Sequence, residues 1–170
     1  MISKKNLVFL GMMGSGKSSI GRLVSKRIKL SFIDIDNLIE KKEGMKISDI
    51  FEKNGEGYFR DLEEKITLKA LKNYNSVISL GGGSFINEKI RKEILNNHLS
   101  FWLNCNESVL IERIRGSKKR PLVLKLSDQE IKQLIKKRSK IYSKAQFKIN
   151  CNRLTKNEIV KKIIKIYELD

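Results

Sequence analysis

Long hydrophobic runs are missing from this 170-residue chain, and so are most of the residues that build metal or disulfide frameworks. No stretch approaches the roughly 18 consecutive apolar residues of a membrane span. Met1-Ile2-Ser3-Lys4-Lys5 runs straight into an apolar strand pattern, which leaves no room for a signal peptide. A cytoplasmic protein with no membrane partner is expected. There are two cysteines, Cys105 and Cys151. Each stands alone at a predicted strand end without metal-ligand spacing, so both read as reduced, small buried residues rather than a disulfide. The only histidine, His98, has no catalytic partner in sequence and reads as structural. Acidic residues are also scarce: 19 Asp and Glu stand against 36 Lys and Arg, a net charge of +17. Such an excess can draw nucleic acid or steer anionic ligands. The lysines are spread along the whole chain, with none of the interleaved aromatics that stack on bases. General residue usage accounts for them, and no nucleic-acid partner is expected. An apolar content of 40% with one proline suits a single helix-rich α/β domain.

The most informative stretch is Gly11-Met12-Met13-Gly14-Ser15-Gly16-Lys17-Ser18, which fits the phosphate-binding pattern G-x-x-x-x-G-K-[ST]. Leu7-Val8-Phe9-Leu10 precedes it as a buried strand. Ser19 to Ile28 follows with the helical spacing Ile20, Leu23, Val24, Ile28. Strand, glycine turn and helix are the context the motif requires. Glycines let several backbone N–H groups point at one phosphate, and the helix N-terminus adds partial positive charge. Lys17 is expected to reach the β- and γ-phosphates and Ser18 to ligate Mg²⁺. ATP contacts are assigned to Gly14, Ser15, Gly16, Lys17, Ser18 and Ser19.

Ser31 to Asp36 reads as a second strand ending in carboxylates, where open α/β sheets place ligands. On a strand, Asp34 and Asp36 share a face. They can hold metal-bound water and accept a hydrogen bond from a substrate hydroxyl; alternatively, one caps a helix beginning near Asn37. Short helices are expected over 38–42 and 47–53, broken at Gly44 and Asn54-Gly55. A longer one is expected from Gly57 to about Asn73. Arg60 lies in its first turn, where a cation opposes the helix dipole. Glu63 and Glu64 can compensate as plain surface partners; the cost of the placement favours ligand binding. Val77 to Leu80 is the third strand. Gly81-Gly82-Gly83 at its end is either a flexible turn or a close backbone approach to a ligand. No Asp ends this strand, so Asp34 is the natural metal acid.

Ile86 to Leu95 reads as helical, His98 to Leu103 as the fourth strand, and Asn106 as the cap of a helix to Ile114. The basic stretch from Arg113 to Leu122 carries a Gly and the only Pro and reads as a mobile loop, a solvated charge run or a lid bringing a cation to the transferring phosphate. Ser127-Asp128-Gln129-Glu130 and Thr155-Lys156-Asn157-Glu158 are capping boxes. The first opens a helix to Tyr142 with Arg138 and Tyr142 on one face. Phe147 to Ile149 is the fifth strand. Strands alternating with helices argue for a parallel sheet covered on both faces.

The ordered set resembles the shikimate kinase family over essentially the whole chain. It comprises the phosphate loop, Asp34-Ile35-Asp36, Gly55 to Arg60 with Glu63, the Gly81–Gly83 turn, Arg120-Pro121-Leu122, and Arg138 with Tyr142. The resemblance implies a three-layer P-loop kinase fold with strand order 2-3-1-4-5, a substrate segment over about 34–61 and a lid over about 113–125. It implies phosphoryl transfer from ATP to the 3-hydroxyl of shikimate by a monomer. Asp36 would hold the hydroxyls, Arg60 and Arg138 the carboxylate, and Gly81, Gly82 and Gly83 the ring. Asp34 would flank the Mg²⁺ hydration shell and Arg120 would reach the nucleotide phosphates as a catalytic cation beside Lys17. Arg113 and Arg153 would lie near adenine. Two departures stand out: Ser19 replaces a common Thr, and Asn150-Cys151-Asn152 replaces a segment that commonly carries Asp. Other small-molecule P-loop kinases, acting on gluconate or a nucleoside monophosphate, are the nearest alternative. A nucleic-acid-binding P-loop protein would have no use for Arg60 or the glycine triplet.

Overall fold

The strand Leu7–Leu10 (β1) is fully buried along its length, and alternate residues pack on opposite sides of the sheet. Val8 and Leu10 belong to one apolar cluster, Leu7 and Phe9 to the other. This strand forms the middle of a five-stranded parallel sheet. In a computed structural model that describes residues 5–117, 123 and 125–169, the remaining elements follow in chain order. They are α1 (Lys17–Ile28), β2 (Ser31–Asp34), α2 (Ile35–Glu43), α3 (Ile47–Leu71), β3 (Ser76–Ser79), a 3₁₀ turn (Ser84–Ile86), α4 (Glu88–Asn97), β4 (Leu99–Asn104), α5 (Glu107–Arg115), α6 (Asp128–Tyr142), β5 (Phe147–Asn150) and α7 (Lys156–Leu169).

The strand order is β2-β3-β1-β4-β5, as the resemblance implies. Ile20 and Val24 of α1 and Ile159, Val160 and Ile163 of α7 cover the Leu7/Phe9 face. The other face is covered by apolar residues of α2 to α6, including Ile39, Phe59, Ile94, Leu110 and Ile131. The edge strands β2 and β5 are the only partly buried ones. All strands point the same way, so every loop that follows a strand opens at one end of the sheet.

The capping boxes form as read: Ser127 and Glu130 exchange bonds at the start of α6, and Thr155 and Glu158 do so before α7. Several local expectations are corrected. The second strand stops at Asp34, as the capping alternative has it: Asp34 accepts a hydrogen bond from Asn37 N–H (3.2 Å) and starts α2 at the next residue. Asp36 therefore lies in the first turn of a helix, not on a strand face shared with Asp34. The break expected at Asn54-Gly55 is present: Gly55 is non-helical (φ 81°, ψ 174°) and kinks α3 into two helical halves, the second resuming at Glu56 rather than Gly57. Asn106 stands at the N-cap of α5 but its side chain makes no capping bond. His98 caps the C-terminus of α4, and its Nδ1 accepts from Asn6 N–H at 3.3 Å. Among the described residues no helix is long and apolar enough to cross a membrane.

Candidate active site

The phosphate loop links β1 to α1. Gly14 adopts φ +79°, which strains any other residue there, and a Cβ would sit 3.1 Å from Arg113 Cβ, which would have to give by a few tenths of an ångström. Lys17 is 8% exposed, and its Nζ donates to the carbonyls of Gly11 (3.0 Å) and Met12 (2.9 Å). Ser18 Oγ donates to Asp34 Oδ2 at 2.5 Å and lies 3.3 Å from Ser79 Oγ. Asp34 and Ser79 are register partners on β2 and β3, so the carboxylate reaches the loop from a strand end. Arg113 Nη1 donates to Gly14 O at 2.8 Å. This arginine lies on α5 and not in the mobile loop expected to include it. A cavity of about 780 Å³ opens here, lined by Gly14, Gly16, Lys17, Ser18, Ser19, Asp34, Asp36, Gly82 and Arg113 among others.

The glycine triplet after β3 draws the remaining candidates together. A Cβ on Gly81 would stand 2.6 Å from Glu63 Oε1 and 2.8 Å from Asp36 Oδ1. A Cβ on Gly82 would meet Arg138 Nη1 and Met13 N, both at 3.5 Å, and one on Gly83 would overlap the Arg60 guanidinium. Asp36, Glu63, Arg60 and Arg138 thus surround three consecutive residues. Tyr142 OH donates to Gly82 O and lies 3.8 Å from Met12 Sδ, which ties α6 to the triplet and the phosphate loop. A second cavity of about 380 Å³ is lined by Arg60, Glu63, Gly83, Lys137 and Arg138 among others. The candidates therefore line two hollows that meet at the triplet.

Arg60 is held from two sides. Its Nη1 lies 2.7 Å from Glu63 Oε2 and its Nη2 lies 3.2 Å from Glu56 Oε1. Glu63 is 3% exposed and also accepts from Ser84 Oγ at 2.7 Å. Burial works against the Arg60 charge; the Glu63 and Glu56 carboxylates more than offset it and raise its pKa above the ordinary value. Glu64 plays no part in this, because it is taken by Lys89 and Asn87 of the neighbouring element. Glu56 at i−4 replaces it, a consequence of the helical path resuming at Glu56 after the kink at Gly55. Among the described residues Arg138 has no ion-pair partner.

Arg153 is exposed and lines neither cavity; Arg120 lies outside the described residues. Lys46 and Lys156 line the larger cavity and Lys137 the smaller, and none was singled out from sequence. No local signal separates them from the other lysines of so basic a chain. The donor set of Ser18, Asp34 and Ser79 is all oxygen, the kind a hard cation such as Mg²⁺ takes. Among the described residues no group of three or more His, Cys, Asp or Glu could cage a metal.

Comparison with known proteins gives the family. The shikimate kinase family profile matches residues 13–168. The chain is 41% identical over 165 residues to a shikimate kinase of Thermodesulfovibrio yellowstonii, covering 96% of this chain and 95% of that one. It is 40% identical over 160 residues to that of Persephonella marina, covering 94% and 97%. The fold superposes with a TM-score of 0.92 on a shikimate kinase from Acinetobacter baumannii in complex with shikimate, 27% identical, covering 99% of this chain and 95% of that one. A gluconokinase from Sinorhizobium meliloti shares the fold alone, at a TM-score of 0.60 and 18% identity, covering 99% and 94%. With a phosphate loop at one end of the sheet, an acid and two guanidinium groups around the adjoining triplet, and relatives matched over nearly their full length, the chain belongs to the shikimate kinase family of enzymes, kinases that transfer phosphate to an alcohol.

Proposed function

We propose that this chain transfers the γ-phosphate of ATP to the 3-hydroxyl of shikimate, and that the residues around Gly81–Gly83 and the phosphate loop carry the reaction. The observation that supports this most strongly is the convergence of Asp36, Glu63, Arg60 and Arg138 on three glycines beside the phosphate loop. Shikimate is a small carboxylate with vicinal hydroxyls. A planar guanidinium meets a carboxylate with two parallel hydrogen bonds, and a pair of them fixes its orientation. Arg60 is held in place by Glu63 and Glu56, while Arg138 offers a charge that no carboxylate among the described residues takes up. The triplet backbone borders the ring, because no side chain stands there.

On the nucleotide side, the Gly14, Ser15, Gly16, Ser18 and Ser19 segment cradles phosphate with backbone N–H groups. Ser15 Oγ is buried with no hydrogen-bond partner among the described residues, a donor available to a phosphate oxygen. Lys17 exchanges its two loop carbonyls for the β- and γ-phosphates. Arg113, anchored on Gly14 O, closes one wall of this cavity. Ser18 would ligate Mg²⁺ and Asp34 would hold its hydration shell. The bound ion would neutralise charge on the β- and γ-phosphates.

The transition state of phosphoryl transfer is loose, so positioning and electrostatics supply most of the rate. Asp36 accepts a hydrogen bond from the attacking hydroxyl, aims it at the phosphorus, and takes its proton late. All the residues named belong to one chain, so the reaction as drawn needs no second copy and no nucleic acid. The test is ADP release with shikimate, gluconate and nucleoside monophosphates as acceptors. Shikimate should exceed the others in kcat/KM by about tenfold or more, since a misplaced reacting hydroxyl is costly even where an anionic group is held. Comparable turnover of gluconate or a nucleotide would overturn the assignment.

A further inference from the structure

The cysteines expected to stand alone are neighbours. β4 and β5 end side by side: Asn104 pairs with Asn150 in register, and Cys151 N–H donates to Asn104 O at 2.9 Å. One residue further on, Cys105 and Cys151 face each other across adjacent parallel strands. Strand backbones lie about 4.8 Å apart, inside the roughly 4.4–6.8 Å Cα separation a disulfide requires. Both thiols are free and half-buried, and Cys151 Sγ donates to Ile149 O at 3.4 Å. Cys105 Sγ donates to Ser15 O at 3.6 Å, so one thiol of the pair touches the phosphate loop.

The electrostatics divide the roles. The neighbouring Cys151 thiol lowers the Cys105 pKa to about 7 against the opposing effect of burial, with help from the facing Arg113 and Lys17 charges. Cys151 is pushed up by the neighbouring Cys105 and by burial. Cys105 is the nucleophile and Cys151 the thiol held beside it.

We propose that Cys105 and Cys151 form an oxidation site under the phosphate loop, which a peroxide converts to an intramolecular disulfide that weakens ATP binding until a thiol reductant reverses it. The Cys105 thiolate attacks one peroxide oxygen: an S–O bond forms, the O–O bond breaks, and hydroxide leaves. That hydroxide takes the Cys151 proton and becomes water. The Cys151 thiolate then attacks the Cys105 sulfur; the S–S bond forms, the S–O bond breaks, and the second hydroxide is protonated from solvent. The two thiols lose two electrons and the peroxide is reduced to two waters. The disulfide removes the contact from Cys105 to Ser15 O and ties the strand tips that support the loop.

The effect on ATP rests on the nucleotide site proposed above; the thiol chemistry does not. The test treats the whole protein with hydrogen peroxide, maps the thiols by intact mass and peptide analysis, and measures KM for both substrates before and after dithiothreitol. The expected result is a mass loss of two hydrogens and one linked peptide joining Cys105 to Cys151. The KM for ATP should rise roughly threefold to tenfold, the scale of one lost hydrogen bond, with the KM for shikimate unchanged and full recovery on reduction. Cys151→Ser should keep the basal activity and accumulate a Cys105 sulfenic acid that dimedone traps. Two thiols that stay reduced, separate oxidation without a linked peptide, or a linked pair with unaltered KM for ATP would each overturn the proposal. The mass readout is independent of the acceptor assay, so failed thiol chemistry and a failed kinase assignment are told apart.

Discussion

At Gly81 the site is decided by the lack of one carbon atom. A methyl group there would stand 2.6 Å from Glu63 Oε1 and 2.8 Å from Asp36 Oδ1, closer than carbon and oxygen approach without displacement. Gly81→Ala should push both carboxylates aside and lower kcat/KM for shikimate by about tenfold or more, since small misplacements of reacting groups are costly. The KM for ATP should hold, because the Lys17 and Ser18 contacts lie across the cavity. Equal losses for both substrates in steady-state kinetics would show that the triplet shapes more than the acceptor side. This part of the site was legible in the sequence: three glycines at a strand end leave room for something close. The exact station of Asp36 was not legible. Strand alternation placed it beside Asp34, but the Asp34 carboxylate caps Asn37 N–H and turns the chain into a helix one residue later. A local side-chain bond won over a period-2 pattern. The two thiols were missed for a related reason, since spacing along the chain says nothing about which strand ends are neighbours.

Among the elements, α3 carries the clearest mechanical feature. Gly55 sits at φ 81°, ψ 174°, a region essentially closed to other residues, and nothing lies within 4 Å of where its Cβ would be. Gly55→Ala is therefore a test of backbone strain alone. It should destabilise by about 1–3 kcal/mol, or roughly 2–10 °C in Tm for a chain of this size. An unchanged melting temperature would contradict the strain. The bend also sets the site, because it begins the second half of α3 at Glu56 and so places Glu56 one turn before Arg60. The break at Asn54-Gly55 was readable from residue type. The partner it gives Arg60 was not, because that depends on where the helical path resumes, and Glu64 is claimed by Lys89 and Asn87 across a tertiary contact.

For the molecule as a whole, the alternation of buried strands and amphipathic helices carried the architecture, down to the two apolar faces of β1. Between pH of about 5 and 6.5 its response to acid should rest on His98, which is 2% exposed. Burial lowers its pKa below the ordinary 6.5, with Glu93 opposing, and its Nδ1 is occupied as an acceptor of Asn6 N–H. The unfolded chain then binds the proton more readily than the folded one. Stability is complete above pH of about 6.5 and falls as pH drops through the lower folded pKa. His98 is the only histidine, so between pH of about 5 and 6.5 the slope belongs to it. Urea denaturation across that window should show the decline in the native protein and lose it in His98→Gln; the same slope in both would exclude His98.

The central claim is that a carboxylate is held by guanidinium groups next to the phosphate loop, and Arg138 is the group whose charge no carboxylate among the described residues offsets. The most direct measurement compares kcat/KM for shikimate with that for its neutral carboxamide, in the native enzyme and in Arg138→Ala. The native enzyme should prefer the acid by about 10–100-fold, the scale of a charge-assisted pair, and the variant should lose most of that preference while its KM for ATP stays put. A variant that still favours the acid as strongly as the native enzyme would contradict the account.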